Sequence, residues 1–136
     1  MADRGLLAVV SSRTGEMRSI GSGIHAISNG DLDAPWPKMR KSSEALAALL
    51  AGSAPEDEAL FEMLRDTERA PDSELPETGV GLEWERVLSA PFIATPTYGT
   101  RSSTVVQRSA DGAIRFSERT FMPDGRAAGT NRFVLE

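Results

Sequence analysis

The stretch GIHAISNGDLDAPWPK, residues 23–38, contains the only histidine of the chain and a Pro-Trp-Pro run that leads into a helical pattern. We predict a strand over residues 24–28, because this segment comes directly after two other segments with strand-like sequences. In a strand, His25, Ile27 and Asn29 would point to the same face. Pro37 is a natural first residue of a helix. The stretch therefore predicts a passage from strand to helix, with polar groups where the strand ends.

Before this stretch, the sequence predicts two short strands. The apolar run LLAVV, residues 6–10, is bounded by Gly5 and by serines, and Thr14 and Gly15 form a turn into the segment MRSI, residues 17–20. After it, apolar residues recur at helical spacing as far as Gly52. Ser53 and Glu56 form a capping-box pattern for a second helix that ends near Asp66, and Trp84 lies in a short third helix.

After Pro91 the sequence again favours strands, over residues 98–107 and 132–135. Asp111 and Gly112 predict a two-residue hairpin loop, which would set Arg108 opposite Arg115. The other face would then carry Arg101, Val105, Ile114, Phe116 and Glu118. The order is strands, then helices, then strands. The sequence therefore predicts the α+β class and not a doubly wound fold.

Composition fits one globular domain, residues 1–136, with 40% hydrophobic and 26% charged residues. A net charge of −5 is opposite in sign to what nucleic-acid binding needs, so we predict no nucleic-acid partner. The absence of cysteine excludes disulfides and thiol catalysis within this sequence, and suggests a cytoplasmic protein. The longest apolar run, residues 45–51, is too short to span a bilayer, so we predict no membrane span.

His25 has two interpretations. It could be a general base, or a metal ligand with Asp31 and Asp33, but a lone imidazole without thiols makes a weak metal site. A strand-end histidine readily finds a backbone partner, and we favour that structural role. We accordingly predict no metal and no cofactor.

Asn29 and Trp36 are further candidates. The Asn29 carboxamide could donate hydrogen bonds to an oxyanion or a ligand carbonyl, and it could equally stabilise the turn at Gly30. Trp36, between two prolines, could anchor the start of the helix or form the wall of a pocket. The sequence leaves both alternatives open.

Arg101 follows Tyr98 in the hydroxyl-rich segment YGTRSST, residues 98–104. A guanidinium among hydroxyl groups suits the binding of a carboxylate, phosphate or acyl oxygen. The alternative is an ordinary strand whose Arg101 pairs with a surface carboxylate. A Ser-His-Asp hydrolase is only weakly indicated, because no nucleophile-elbow spelling occurs.

Six ordered motifs together resemble the C-terminal half of the NRDE family, also called the Transport and Golgi organisation family. They are GIHAISN (23–29), LDAPWPK (32–38), LPETG (75–79), LSAPFI (88–93), YGTRSS (98–103) and FSERTF (116–121). The resemblance covers nearly the whole chain from residue 6 onward. The LPETG segment, which by itself spells a sortase signal, is then a loop of the family.

The resemblance implies an αββα sandwich like that of the N-terminal-nucleophile hydrolases, of which this chain would be the C-terminal portion. The family's nucleophilic cysteine and Asn-Arg-Asp-Glu motif are both missing from this sequence, so catalysis by this chain alone is not expected. By position, Asn29 matches an oxyanion-hole residue of the related acylases, and Arg101 matches a residue that orients the nucleophile.

Three hypotheses follow from the resemblance. In the first, the protein binds or shuttles a small amphipathic metabolite, such as a lipid, an acyl-coenzyme A or a haem-like molecule, with His25, Asn29, Trp36, Tyr98 and Arg101 near the pocket. In the second, it is part of an amide or thioester hydrolase whose cysteine lies outside this sequence. In the third, it is a noncatalytic homo-oligomer that covers an exposed sheet face.

Overall fold

A computed structural model describes residues 7–135 and shows a mixed fold with three helices and two antiparallel sheets. The order along the chain is two strands, three helices and three strands. This confirms the α+β class and the predicted sequence of strands, helices and strands. The first strand is described from Leu7 onward.

The first sheet is a hairpin of β1 (Leu7–Val10) and β2 (Met17–Ile20). Gly15, at φ +71°, makes the turn, a conformation that glycine adopts without a steric penalty. The side chains of Leu7, Val10 and Met17 are between 64% and 69% exposed. The hairpin therefore buries little of its apolar surface.

Helix α1 (Pro37–Leu50) begins at the predicted proline, with Trp36 as the flanking residue. Helix α2 (Asp57–Leu64) begins after Glu56, so the predicted capping role of Ser53 is wrong: no side chain caps this helix start. A short 3-10 turn and α3 (Leu82–Leu88) follow. Within residues 7–135, no helix has the length and apolar character needed to cross a membrane.

The second sheet has the order β3 (Ser102–Arg108), β4 (Ile114–Phe121) and β5 (Ala127–Leu135). One of its faces packs on α2, where Leu60, Phe61 and Val105 form the core cluster. Residues alternate between the faces of a strand, so the opposite face carries a second set of side chains. We call it the outer face, defined by Val106, Ile114, Phe116, Phe133 and Leu135.

The predicted register of the β3–β4 hairpin is wrong by one residue. Arg108 pairs with Ile114, not with Arg115. Gly112, at φ +96°, donates its N–H to the Ser109 carbonyl at 3.0 Å and closes a loop longer than two residues. A one-residue shift turns every side chain to the other face, and this separates the buried Val105 from Ile114 and its outer-face neighbours.

The predicted strand over residues 24–28 is also wrong, because this segment is an irregular loop. Its backbone bonds with Asp33, eight residues after His25, in place of a neighbouring strand. The alternation that would have put His25 and Asn29 on one face therefore does not apply. The loop instead takes its shape from side-chain contacts that a pattern of apolar residues does not reveal.

Candidate functional site

Asp33 closes the loop that precedes α1. Its Oδ1 accepts a hydrogen bond from the Ala26 N–H at 2.8 Å, and its own N–H donates to the Ala26 carbonyl at 2.8 Å. Its Oδ2 lies 2.8 Å from Nδ1 of His25, which donates to it. These bonds to the ionised carboxylate hold the pKa of Asp33 below its usual value, with the His25 contact as the main cause.

The loop is seated on Trp36. A Cβ added to Gly30 would come within 2.8 Å of Cζ2 of the Trp36 ring, so only glycine allows this close approach. Asp33 has φ +58°, a left-handed conformation that aspartate tolerates better than most residues. The ring and the closed loop together fix the position of Asn29.

A cavity of about 180 Å³, here called the Trp36 cavity, lies between this loop, the start of α1, the segment before α3 and α3 itself. Its wall is mostly apolar, and its polar groups come from different parts of the chain. The lining residues are Asn29, Trp36, Pro37, Lys38, Pro76, Thr78, Val80, Glu85, Leu88 and Ser89.

Lys38 connects α1 to α3 at this cavity. Its Nζ donates a hydrogen bond to the Leu88 carbonyl at 3.0 Å, at the C-terminal end of α3, where a cation is favourable. The ammonium also lies 5.8 Å from the centre of the Trp36 ring. Burial lowers the pKa of Lys38, and the nearby Glu85 carboxylate partly opposes this shift.

Glu85, from α3, is the second charged side chain that lines the cavity. It is only 6% exposed, and its Oε1 accepts two hydrogen bonds from Thr78, one from the N–H at 2.7 Å and one from Oγ1 at 2.6 Å. A buried carboxylate needs such donors to compensate for lost hydration. Glu85 therefore fixes the loop before α3 as a second wall.

The structure brings two of the predicted site residues, Asn29 and Trp36, into one cavity. The other three, His25, Tyr98 and Arg101, are not among its lining residues. Tyr98 is 48% exposed and packs edge-on against Trp84, with 5.4 Å between ring centres. Arg101 is exposed, and its backbone carbonyl accepts the Phe121 N–H at 2.9 Å.

Sequence reasoning missed Lys38, Thr78 and Glu85 as site residues. A signal existed for two of them, because Lys38 ends the Pro-Trp-Pro-Lys run and Thr78 lies in the LPETG segment. For Glu85 there was none, since a glutamate in a short helix is usually solvated. Within residues 7–135, no three His, Cys, Asp or Glu side chains are grouped so that they could hold a metal ion.

Comparison with known proteins gives a consistent result. The profile of the family described as Transport and Golgi organisation 2 matches residues 2–123. The Transport and Golgi organization protein 2 homolog of Bos taurus is 28% identical over 148 residues, which cover 99% of this chain and 54% of that protein. The Homo sapiens homolog is 29% identical over 108 residues, covering 74% of this chain and 39% of that protein. The chain thus spans about half the length, or less, of these relatives.

Proposed function

This chain belongs to the Transport and Golgi organisation 2 family, also called the NRDE family, and from that premise we propose that it binds a small amphipathic metabolite in the Trp36 cavity. One observation carries the proposal: the cavity joins an apolar wall to a few polar groups that converge on it. Pockets for small molecules generally have this composition. The Asn29 carboxamide and the Trp36 ring are its proposed ligand contacts.

The size of the cavity limits what enters it. A volume of about 180 Å³ is below the roughly 300–1,000 Å³ of typical small-molecule pockets. We therefore propose that only one end of a haem or a coenzyme A would be enclosed. Val80, which is 46% exposed at the rim, marks where the remainder would leave the cavity.

Tryptophan fluorescence tests the proposal. Replacing Trp84 by Phe leaves Trp36 as the only indole and keeps an aromatic ring against Tyr98. Titration of this variant with decanol, decanoyl-coenzyme A and hemin should give a saturable change of Trp36 emission for at least one probe. Absence of any saturable change up to the solubility limit of all three would refute binding at this cavity.

A matched pair of variants locates the binding. Val80→Phe narrows the mouth of the cavity and should weaken binding of the active probe about tenfold. Val106→Phe adds the same volume on the outer face of the sheet, at a side chain that is 59% exposed, and should leave binding unchanged. Equal effects of the two substitutions would place the probe elsewhere.

For the fold we propose that the outer face contacts a second sheet, as in an αββα sandwich with this chain as one portion of a single domain. Two observations support this. Phe133 is 56% exposed beside Phe116, with 6.2 Å between ring centres. The exposed area of 9701 Å² also exceeds the roughly 6,900 Å² that a compact monomer of this mass has. A crystal structure of the bovine relative would test this, and solvent or a helix on that face would contradict it.

A further inference from the structure

Lys38 and Glu85 present opposite charges to the Trp36 cavity without forming an ion pair. Both line the cavity, and the Glu85 carboxylate partly opposes the lowering of the Lys38 pKa by burial, so the two groups act on each other. No contact within 4.0 Å joins them, although both belong to the described part of the chain. A gap therefore separates the two charges.

The geometry of α3 explains this gap. Lys38 is tied to the Leu88 carbonyl, and Glu85 lies three residues earlier on the same helix. Residues three apart on a helix are separated by about 4.5 Å along the axis, at a rise of about 1.5 Å per residue. The two side chains are thus held apart by the helix itself and by their own hydrogen bonds.

Each of the two groups keeps unused hydrogen-bonding capacity. One Nζ–H of Lys38 is used by Leu88, and an ammonium has three. Both hydrogen bonds from Thr78 go to Oε1 of Glu85. Within residues 7–135 no hydrogen bond to Oε2 is present, and no fully buried side-chain nitrogen or oxygen lacks a partner, so Oε2 keeps accessible surface. A donor site and an acceptor site therefore remain free.

The two opposite charges of Lys38 and Glu85 disfavour the binding of a charged ligand. The two charges sum to zero, so an additional anion or cation would be attracted by one and repelled by the other while losing its own hydration. A neutral group with a large dipole meets both charges favourably, provided that its acceptor faces Lys38 and its donor faces Glu85. A carboxamide carries such a donor and acceptor, its nitrogen and its oxygen, on one carbonyl carbon.

We propose that the Trp36 cavity binds the carboxamide group of its ligand, with the C=O accepting from Nζ of Lys38 and the N–H donating to Oε2 of Glu85. The apolar substituent of the amide then lies along Trp36 and Pro37. This inference rests on the proposed function, which it narrows to amide-bearing amphipathic molecules.

The test compares four small probes that differ only at the polar end: hexanamide, hexanoate, hexylammonium and 2-heptanone. Their dissociation constants are measured through Trp36 emission in the Trp84→Phe variant of the full chain. Hexanamide should bind at least about tenfold more tightly than each of the others, because it alone combines a donor for Glu85 and an acceptor for Lys38 without a net charge. Tighter binding of hexanoate or 2-heptanone than of hexanamide would overturn the proposal.

Two charge variants supply a second measurement. Glu85→Gln can still accept the Thr78 hydrogen bonds, leaves the cavity with a net positive charge and should shift the preference to hexanoate. Lys38→Met keeps the chain length, leaves a net negative charge and should shift the preference to hexylammonium. If the Trp84→Phe protein and its two charge variants all bind the four probes in the same order of affinity, the proposal is overturned.

The outcomes separate this inference from the proposed function. If the four probes bind equally well, an amphipathic site exists and the amide assignment is wrong. If none of them binds, and decanol, decanoyl-coenzyme A and hemin also leave Trp36 emission unchanged, the proposed function itself is wrong. If a charge variant does not fold, as judged by circular dichroism, the order of probe affinities in the Trp84→Phe protein alone tests the amide assignment.

Discussion

Asp33 determines the shape of the loop that carries Asn29. It combines a left-handed backbone with hydrogen bonds to Ala26 and to the His25 ring. Loops of this kind form locally, since aspartate competes well for nearby backbone N–H groups. The position of Asn29 therefore depends on one carboxylate eight residues away from the histidine.

We expect Asp33→Ala to release this loop. The substitution removes the acceptor for the Ala26 N–H and also places an alanine at φ +58°, which is strained. Exchange of the Ala26 amide, measured by NMR, should become at least about tenfold faster. Asp33→Asn is the matched control, because asparagine tolerates this φ and keeps an acceptor oxygen, and it should change the exchange less.

The hydrogen bond from the Ala26 N–H to the Asp33 carboxylate should make the protection of this amide depend on pH. The pKa of Asp33 is lowered in the folded protein, so its contribution to stability is complete above the unfolded value of about 3.9 and is lost as the pH falls through the folded value. The protection factor of the Ala26 amide should therefore decline only below about pH 4. If protection of the Ala26 amide is already lost when the pH is lowered to 6, titration of Asp33 is not the cause.

At the scale of single elements, the start of α1 joins the loop to the cavity. Pro37 sets the first turn, and Trp36 packs against Gly30 with no room for a side chain. Any movement of the ring would therefore move both the loop and the cavity wall.

We expect Gly30→Ala to lower the free energy of unfolding by about 1–3 kcal/mol, because the added methyl group displaces the Trp36 ring. Gly52→Ala is the matched control, since nothing lies within 4 Å of the added Cβ there. Urea unfolding measures both variants. An equal loss of stability in the two variants would show that the packing of the Trp36 ring does not require a glycine at position 30.

The helices were largely predictable from sequence, because proline starts and helical spacing act locally: α1 begins at Pro37 as expected, and Trp84 lies in a short helix. The hairpin at Asp111 and Gly112 was predicted in place but not in register, since its loop length depends on the backbone angle of Gly112. Such angles are decided by a few atoms and not by a hydrophobic pattern.

The candidate site was predicted only in part. Asn29 and Trp36 do share a cavity, but the grouping with Lys38 and Glu85 depends on contacts between segments about fifty residues apart. No local pattern encodes which helix end a lysine will reach. The proposed role of Arg101 stays a prediction, and its exposed position outside the Trp36 cavity gives it no shared ligand contact there.

At the scale of the whole molecule, stability comes from the contact between α2 and one face of the larger sheet. Phe61 is 2% exposed, and the Arg119 guanidinium lies 4.3 Å from the centre of its ring. The opposite face of the sheet and the β1–β2 hairpin contribute much less burial.

We expect Phe61→Ala to cost about 3–5 kcal/mol of unfolding free energy, a large part of what a small domain has. Val106→Ala, on the outer face, should cost less than about 0.5 kcal/mol. Urea unfolding of both variants measures the difference. Similar costs would mean that the outer face is covered in solution.

The outer face should also make the isolated chain self-associate. Exposed apolar patches of this kind commonly mediate protein contacts. Sedimentation velocity should show association that rises with concentration, and Phe133→Glu should reduce it, because a carboxylate would replace a ring that is 56% exposed. Ser53→Glu, a change at an exposed position between α1 and α2, tests whether added charge away from the outer face has this effect.

The hydrogen bond from Lys38 to Leu88 has a consequence for biosynthesis. A ribosome makes the chain from its N-terminus, so Trp36 leaves the exit tunnel well before the carbonyl that completes the cavity wall. During this interval the indole packs only against the loop that contains Gly30, and its cavity side is accessible to chaperones. If the cavity binds a ligand as proposed, we therefore expect binding only after Leu88 has left the exit tunnel.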